Sequence, residues 1–291
     1  MPVMLKHRLP SGLLMIAGLL GLMWLDNRVE FWAGQRGLVL YLLFLLFALL
    51  ASVELAALLR AKWGHSSRIT LWLSAAAGCT MVYALPLIEL PLTAVGVFGS
   101  GVATVLFAAM FRHSYVRKQT QGAAAAGASA VFALVYLGLL PGMYLLIRHA
   151  DYSAWVIAAI LLIVKSCDIG AYTTGSLIGR HKLIPWLSPG KTWEGLLGGM
   201  AFSAAVCLGL TLWFNHHEPG RAIAWWYALP AGLVLGLIGQ IGDLIASLLK
   251  RDAGVKDWAA TIPGFGGAMD VGDSLLLVAP VAYWLLTLAP G

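Results

Sequence analysis

The chain has 291 residues, of which 60% are hydrophobic and only 11% are charged. Because about a quarter of the residues in a typical soluble domain are charged, this composition excludes an ordinary soluble domain and predicts an integral membrane protein. The formal net charge is +6, but no soluble basic domain is readable, so nucleic-acid binding is excluded. The three cysteines lie in or beside apolar stretches and form neither a disulfide framework nor a metal motif.

Apolar runs of about the length needed to cross a bilayer recur along the chain and predict nine transmembrane helices. Each must be helical, because lipid cannot satisfy an open backbone, so the predicted fold class is all-α and polytopic. The first run follows Lys6 and Arg8, as in a secretory signal, but lacks a small-residue cleavage site and is interpreted as a retained helix. The predicted spans are 11–25, 37–59, 69–88, 91–111, 123–147, 154–168, 194–214, 225–249 and 272–289.

Basic residues concentrate in alternate loops between these spans. One side holds 14 of the 19 lysines and arginines, the other side holds 4, and Lys165 lies within a span. Because basic loops stay in the cytoplasm, the N-terminus is predicted inside and the C-terminus outside. Residues 1–150 are interpreted as N-terminal transmembrane helices. Residues 151–291, which place acids near cytoplasmic helix ends, are interpreted as a catalytic transmembrane region with a site that faces the cytoplasm.

The end of the sixth predicted span is polar. Asp168 and Tyr172 are four residues apart and share a helix face. Ionisable residues inside a membrane are costly and usually face a cavity or a partner. A simpler interpretation is that Lys165 and Asp168 form a pair that serves packing alone. Glu54 is buried in the second predicted span, where it could pair with Lys165 or line a cavity.

A second polar segment precedes the seventh predicted span. Ser188 followed by Pro189 predicts a helix N-cap with proline at the first helical position. A helix start beside Lys191 and Thr192 suits an anionic phosphate. The Gly-Lys-Thr triplet is not a P-loop, because Pro185 stands where that motif needs a glycine. The alternative is a capped helix with an interfacial lysine.

The eighth predicted span carries a polar stripe toward its end. The stripe begins at Asp243, and Ser247, Lys250 and Arg251 follow it by four, seven and eight residues. All four residues therefore line one helix face. Such a face can hold a divalent ion and triphosphate oxygens together. Snorkelling at the membrane interface would explain the two cations. It does not explain Asp243, which lies seven residues deeper among apolar side chains.

A glycine-rich loop precedes the last predicted span. Gly266 and Gly267 would let backbone N–H groups approach a phosphate closely. Asp270 and Asp273 are three residues apart and would point to one site if a helix begins there. The alternative is a turn in which one of the two aspartates is an N-cap.

Taken together, these motifs resemble the phosphatidate cytidylyltransferase family, also called CDP-diacylglycerol synthases. The segments that begin at Asp168 and Ser188 look like the upstream motifs of that family, and the resemblance covers about residues 160–280. Residues that match the family signature in order and spacing are Ser247, Lys250, Arg251, Lys256, Asp257, Pro263, Gly264, Gly266, Gly267, Asp270, Asp273 and Ser274.

Two residues depart from the family pattern. Phe265 replaces a histidine, and Val271 replaces an arginine. The acids expected to bind metal are retained. A phosphatidate phosphate is already ionised near neutral pH, so the reaction does not need a histidine as general base. An active transferase is therefore expected.

The resemblance implies the conversion of CTP and phosphatidate into CDP-diacylglycerol and pyrophosphate in phospholipid biosynthesis. It also implies a Mg²⁺ cofactor and a location of the protein in the inner (plasma) membrane. A second cation and a homodimer are left open. The metal ligands implied are Asp243 and Asp270. The catalytic residues implied are Ser247, Lys250, Arg251, Lys256 and Asp257, and the substrate-binding residues are Asp168, Tyr172, Ser188, Lys191, Thr192, Gly266, Gly267 and Asp273.

Other functions fit parts of the same pattern. A CTP-dependent polyprenol or isoprenoid-alcohol kinase is similar in this region, but it transfers the γ-phosphate to a hydroxyl. A non-catalytic homologue could bind nucleotide or lipid without turnover. A transporter with an acidic midplane site would need paired broken helices in two halves, which the sequence lacks.

Overall fold

The structure is a computed structural model that describes residues 2–28, 36–63, 67–87, 94–259 and 266–290. The chain divides into two compact units. The first comprises Met1–Tyr152 and Asp257–Val271, and the second comprises Ser153–Lys256 and Gly272–Gly291. The boundary passes through one short helix near the C-terminus.

The described residues form helices and a single short β-hairpin. The first unit contains α1 (Pro2–Arg28), α2 (Leu38–Trp63), α3 (Arg68–Ala84), α4 (Ala94–Arg117), α5 (Ala123–Ala133) and α6 (Leu140–His149). The second contains α7 (Ala154–Ile178), β1 (Lys182–Ile184), β2 (Ser188–Thr192), α8 (Trp193–His217), α9 (Trp225–Asp252) and α11 (Val278–Thr287), while α10 (Ala268–Leu276) is the helix that both units share.

Seven helical stretches in the described ranges are long and apolar enough to cross a membrane. They are Leu38–Lys62, Ala94–Arg117, Ala123–His149, Ala154–Ile178, Trp193–His217, Trp225–Asp252 and Ala268–Thr287. The two remaining predicted spans are also helical, within α1 and within α3, although α3 has only 17 residues. The protein is thus a multi-pass, predominantly α-helical membrane protein, as predicted.

The sixth span is longer than predicted. We expected it to end at residue 168, but α7 continues to Ile178. The hydroxyl of Thr173 donates to the backbone carbonyl of Ile169 (3.0 Å). The hydroxyl of Ser176 donates to the backbone carbonyl of Thr173 (2.9 Å). Because the helix itself satisfies these polar side chains, they do not end it. Asp168 therefore lies inside the helix rather than at its end.

The segment before α8 is a β-hairpin, so the predicted N-cap at Ser188 is wrong, and the chain is not entirely α-helical. Strands β1 and β2 pair antiparallel, with Lys182 opposite Thr192. Pro189 is tolerated because a two-stranded sheet has only edge strands. The N-cap of α8 is Thr192 instead, since its Oγ1 atom accepts the N–H of Gly195 (3.1 Å).

Prolines interrupt two of the predicted spans. The fifth contains a π-helical turn over Leu134–Leu139, where the N–H of Leu140 bonds to the carbonyl of Val135. Pro141, the next residue, has no N–H to continue regular bonding. The last span begins earlier than predicted, with α10 at Ala268, and breaks at a turn between α10 and α11. Pro280 accounts for that break, because it cannot donate to the carbonyl four residues before it.

Candidate active site

The second unit brings charged and polar side chains from three helices and the hairpin into one connected group. We call this group the polar cluster. It consists of Lys165, Asp168, Lys191, Gln240, Asp243, Asp273 and Ser274. All of them except Lys191 lie within helical stretches apolar enough to span a membrane, where ionisable groups are costly and usually mark a functional site.

Lys191 and Asp243 form the centre of the polar cluster. The Nζ atom of Lys191 lies 2.7 Å from Oδ2 of Asp243, and the lysine side chain is mostly buried. The same Nζ donates to the backbone carbonyl of Gln240 (3.3 Å). Strand β2 thus directs its lysine onto α9. A predicted phosphate ligand and a predicted metal ligand are direct neighbours.

Asp168 connects α7 to α9. Its Oδ1 accepts the side-chain N–H of Gln240 (2.8 Å), and its Oδ2 lies 3.4 Å from Nζ of Lys165. Lys165 also donates to the hydroxyl of Ser274 on α10 (2.8 Å). The Lys165–Asp168 pair is therefore part of a network that links three helices, and it does more than pack one helix.

Asp273 adds a second carboxylate beside Asp243. It is buried, and its Oδ1 accepts the N–H of Ser274 (2.6 Å). It lies within electrostatic range of Asp243, Lys165 and Lys250. Gly242 permits this proximity, because a Cβ atom there would lie 2.9 Å from the carbonyl oxygen of Asp273. Two acids and two amines consequently share one partly buried region, which suits binding of both phosphate groups and a cation.

In the first unit, Asp270 organises the backbone at the start of α10. Its Oδ2 accepts the N–H groups of Gly267 (2.9 Å) and Trp258 (3.2 Å). Because α10 begins at Ala268, Asp270 lies in the first turn of the helix and reaches back to the residue before it, so neither aspartate is the N-cap that we kept as the alternative. The N–H of Gly267, expected to approach a phosphate, thus donates to Asp270. Gly266 has a φ of +93°, a left-handed conformation that glycine adopts without strain.

Glu54 on α2 also caps α10. Its two carboxylate oxygens accept the N–H groups of Ala268 (2.7 Å) and Met269 (2.9 Å). A Cβ atom at Gly267 would overlap with the Glu54 carboxylate, so the glycine is needed for this close approach. Glu54 therefore satisfies the free N–H groups of a helix start, and it holds the segment that carries Asp270.

The remaining predicted residues differ in exposure. Ser247 and Lys250 are half-buried on α9, whereas Arg251, Lys256 and Asp257 are exposed. The guanidinium of Arg251 donates to the carbonyl of Val255 (3.1 Å). Tyr172 is 78% exposed, although it shares α7 with Asp168. Ser188 lies in β2, and Thr192 is buried as the cap of α8. Pro263, Gly264 and Phe265 lie outside the described residues.

Sequence reasoning gave no site role to Gln240 or Lys165, and it did not identify the partner of Glu54. Each residue carried a signal, because each is a polar or ionisable side chain within a long apolar run. Gln240 also stands three residues before Asp243, which places the two on the same side of a helix. Their partners come from other helices, so spacing along the chain could not identify them.

The fold and the polar cluster define a class of protein: a multi-pass membrane protein with a partly buried group of acids and amines suited to phosphate chemistry. Comparison with known families identifies the family itself. The cytidylyltransferase family matches residues 6–289, so the chain belongs to this family. The membership predicted from the motifs is confirmed, and with it the enzyme class, a nucleotidyltransferase.

Several curated relatives are similar to this chain. The phosphatidate cytidylyltransferase of Mycobacterium bovis is 31% identical over 211 residues, which cover 69% of this chain and 67% of the relative. That of Bacillus subtilis is 38% identical over 157 residues, covering 54% of this chain and 56% of the relative. That of Staphylococcus saprophyticus is 37% identical over 156 residues, 54% of this chain and 57% of the relative. The chain thus matches between about half and two-thirds of these relatives' length.

Proposed function

We propose that this protein transfers CMP from CTP to phosphatidate and releases pyrophosphate, which yields CDP-diacylglycerol. The observation that carries the proposal is the polar cluster, in which Lys191 contacts Asp243 beside Asp273 and Lys165. Membership of the cytidylyltransferase family supports it, as do the names of the curated relatives.

The reaction requires positioning and charge neutralisation more than covalent help from the protein. An oxygen of the phosphatidate phosphate attacks the α-phosphorus of CTP, and the bond from that phosphorus to the β-phosphate oxygen breaks. Nucleophile and leaving group are both anions, so fixed cations lower the barrier by holding them together. In the proposed site, Lys191 and Lys250 bind phosphate oxygens, with Arg251 and Lys256 as further cations and Lys165 holding Asp168 and Ser274 in place.

The proposed cofactor is Mg²⁺, with Asp243 and Asp270 as its ligands and Asp168, Asp257 and Asp273 in support. Their carboxylate oxygens are the hard donors that this ion prefers. Within the described ranges, no three acid, histidine or cysteine side chains converge as a complete ligand set. Mg²⁺ is usually held by one or two carboxylates together with substrate phosphates, so the proposal asks only Asp243 and Asp270 to bind it directly. When bound, the ion would neutralise charge on the triphosphate.

The proposed membrane arrangement has nine spans, an N-terminus in the cytoplasm and a site that faces the cytoplasm of the inner (plasma) membrane. The 14-to-4 asymmetry of basic residues supports this orientation, and CTP is a cytoplasmic substrate. The proposal includes a homodimer, which cross-linking in native membranes would test.

The decisive experiment supplies purified protein with phosphatidate, Mg²⁺ and CTP labelled in the cytidine moiety. We expect label in the lipid fraction and an equal amount of pyrophosphate. A second reaction contains CTP labelled at the γ-phosphate and a polyprenol. Transfer of that label to the polyprenol, without cytidine in lipid, would favour the kinase. Binding of CTP without pyrophosphate release would identify a non-catalytic homologue.

A further inference from the structure

The first unit contains a basic cavity of about 260 Å³ that the proposed reaction does not use. It is formed by α2, α3, α4 and α5, near the end of α2, the start of α3 and the end of α4. Its polar lining includes Arg60, Ser67, Thr70, Arg112, His113 and Arg117. None of them belongs to the polar cluster or to the residues around Asp270 and Glu54.

Arg112 organises the donors of this cavity. Its Nη1 atom donates to the hydroxyl oxygens of Ser67 (2.9 Å) and Thr70 (2.7 Å). The Ser67 oxygen also accepts the backbone N–H of Thr70 (3.3 Å). Both lone pairs of the Ser67 oxygen are therefore occupied, and its hydroxyl hydrogen remains available for donation. The cavity thus presents hydroxyl hydrogens as well as guanidinium groups.

The described lining of the cavity is basic. Three arginines contribute to the wall, and none of the described residues that line it is an aspartate or a glutamate. Three arginines grouped in one wall create a field that attracts an anion. The planar guanidinium group binds two phosphate oxygens at once, so arginine is the side chain best suited to a phosphate.

The remaining wall is apolar and favours a lipid over a soluble anion. Leu71, Ala109, Val116 and Ala126 form the apolar part of the lining, and Val116 is exposed at the end of α4. Phe111 and Tyr115 on the same helix are also exposed. A volume below the ~300–1,000 Å³ of pockets for drug-sized ligands fits a headgroup whose acyl chains remain outside. Basic pockets between transmembrane helices commonly bind anionic headgroups.

We propose that this cavity binds the phosphate of an anionic phospholipid, separately from the catalytic reaction. Arg112 holds the phosphate together with Arg60, Arg117 and the Ser67 hydroxyl, and Leu71 and Val116 contact the glycerol and the first part of the acyl chains. The probe is dioleoylphosphatidylglycerol, since its phosphodiester makes it a poor mimic of the phosphatidate substrate.

The test measures binding of this lipid to the full chain in detergent by native mass spectrometry, with dioleoylphosphatidylcholine as the neutral reference and no CTP. We expect the wild type to bind the anionic lipid at least about tenfold more tightly than the neutral lipid. A tenfold difference in affinity is about what one charge-assisted hydrogen bond contributes. The double variant Arg60→Gln/Arg117→Gln alters exposed side chains and should fold. It should lose the preference, as should Arg112→Gln if that variant folds. Higher salt should weaken the preference.

Two control variants separate this site from others. Arg221→Gln removes an arginine outside the cavity, and Lys191→Met alters the polar cluster; both should keep the wild-type preference for the anionic lipid. Equal affinity of the wild type for both lipids would overturn the proposal, as would an unchanged preference in Arg60→Gln/Arg117→Gln. Displacement of the lipid by equimolar inorganic phosphate would show a site for a free anion instead. Because the readout is binding, loss of turnover in the CTP assay would leave this result unaffected.

Discussion

The ammonium group of Lys191, on the strand before α8, lies 2.7 Å from the carboxylate of Asp243 on α9. The contact joins two motifs that are separate in the sequence, one expected to bind phosphate and the other to bind metal. It exists because residues 182–192 form a hairpin that directs Lys191 toward α9. In the proposed site, Lys191 orients Asp243 and binds the nucleotide phosphates.

Removal of the Lys191 charge should impair catalysis without unfolding the protein. We expect Lys191→Met to lower kcat/KM by at least about 100-fold, because a positioned cation at developing charge contributes about 2.7–4 kcal/mol. Lys191→Arg should retain part of the activity. Lys182→Met is the matched control, since Lys182 is exposed in the same hairpin. Equal activity of Lys191→Met and Lys182→Met would exclude Lys191 from the site.

The proposed metal ligands can be tested one at a time. Asp243→Asn and Asp270→Asn should each abolish turnover at saturating Mg²⁺ while folded protein remains in the membrane, because each replaces a charged oxygen ligand by a neutral amide of similar size. Asp252→Asn, at the exposed end of α9, should leave activity near the wild-type level. Near-wild-type activity in either of the first two variants would refute that ligand assignment.

Glu54 should affect stability as well as activity. Glu54→Ala leaves the N–H groups of Ala268 and Met269 without their carboxylate acceptor, at a cost of about 1–3 kcal/mol for each buried group. We expect a lower Tm, measured by thermal unfolding in detergent, together with lower kcat, since the same segment carries Asp270. Glu54→Gln keeps an acceptor oxygen and the length of the side chain. Its Tm and kcat should therefore lie between those of the wild type and those of Glu54→Ala.

Val53→Ala is the control for Glu54, because Val53 is a neighbouring exposed residue on α2. It should change Tm by much less than Glu54→Ala does. If both variants had the same Tm as the wild type, the capping contact would make no measurable contribution to stability.

The pH dependence tests the residues that depart from the family pattern. Phe265 cannot transfer a proton, and an ionised phosphate nucleophile needs none removed. The pH profile of kcat should therefore lack an essential limb near the ordinary histidine pKa of ~6.5. Phe265→His should be tolerated, because the family pattern has histidine there. An inactive wild type that regains turnover in Phe265→His/Val271→Arg would instead identify a degenerate homologue.

The orientation can be tested by single-cysteine labelling. Positions 216–220 are predicted to face the outside, and the segments 60–68, 112–122, 175–192 and 250–270 are predicted to face the cytoplasm. In sealed cells, an impermeant thiol reagent should label a cysteine at 217 and spare one at 182. Labelling of 217 from the cytoplasmic side alone would refute the orientation.

Much of the helical architecture and the family could be predicted from local patterns. Long apolar runs predict helices because lipid offers no partner for a free backbone, and the described part of the chain contains seven stretches of the expected kind. Boundaries were less predictable. Helix α7 passes beyond Asp168 because its hydroxyl groups bond within the helix, and residues 182–192 form a hairpin where a helix start was expected.

The sequence by itself determined the membrane class, the family and which residues are candidates for phosphate and metal binding, because hydropathy and motif spacing are local properties of the chain. Only the tertiary structure decided which candidates meet. Lys191 reaches Asp243, Gln240 reaches Asp168, and Glu54 caps the helix that carries Asp270. These partners come from distant segments, and packing of helices and strands, not spacing along one helix, sets the distances between them.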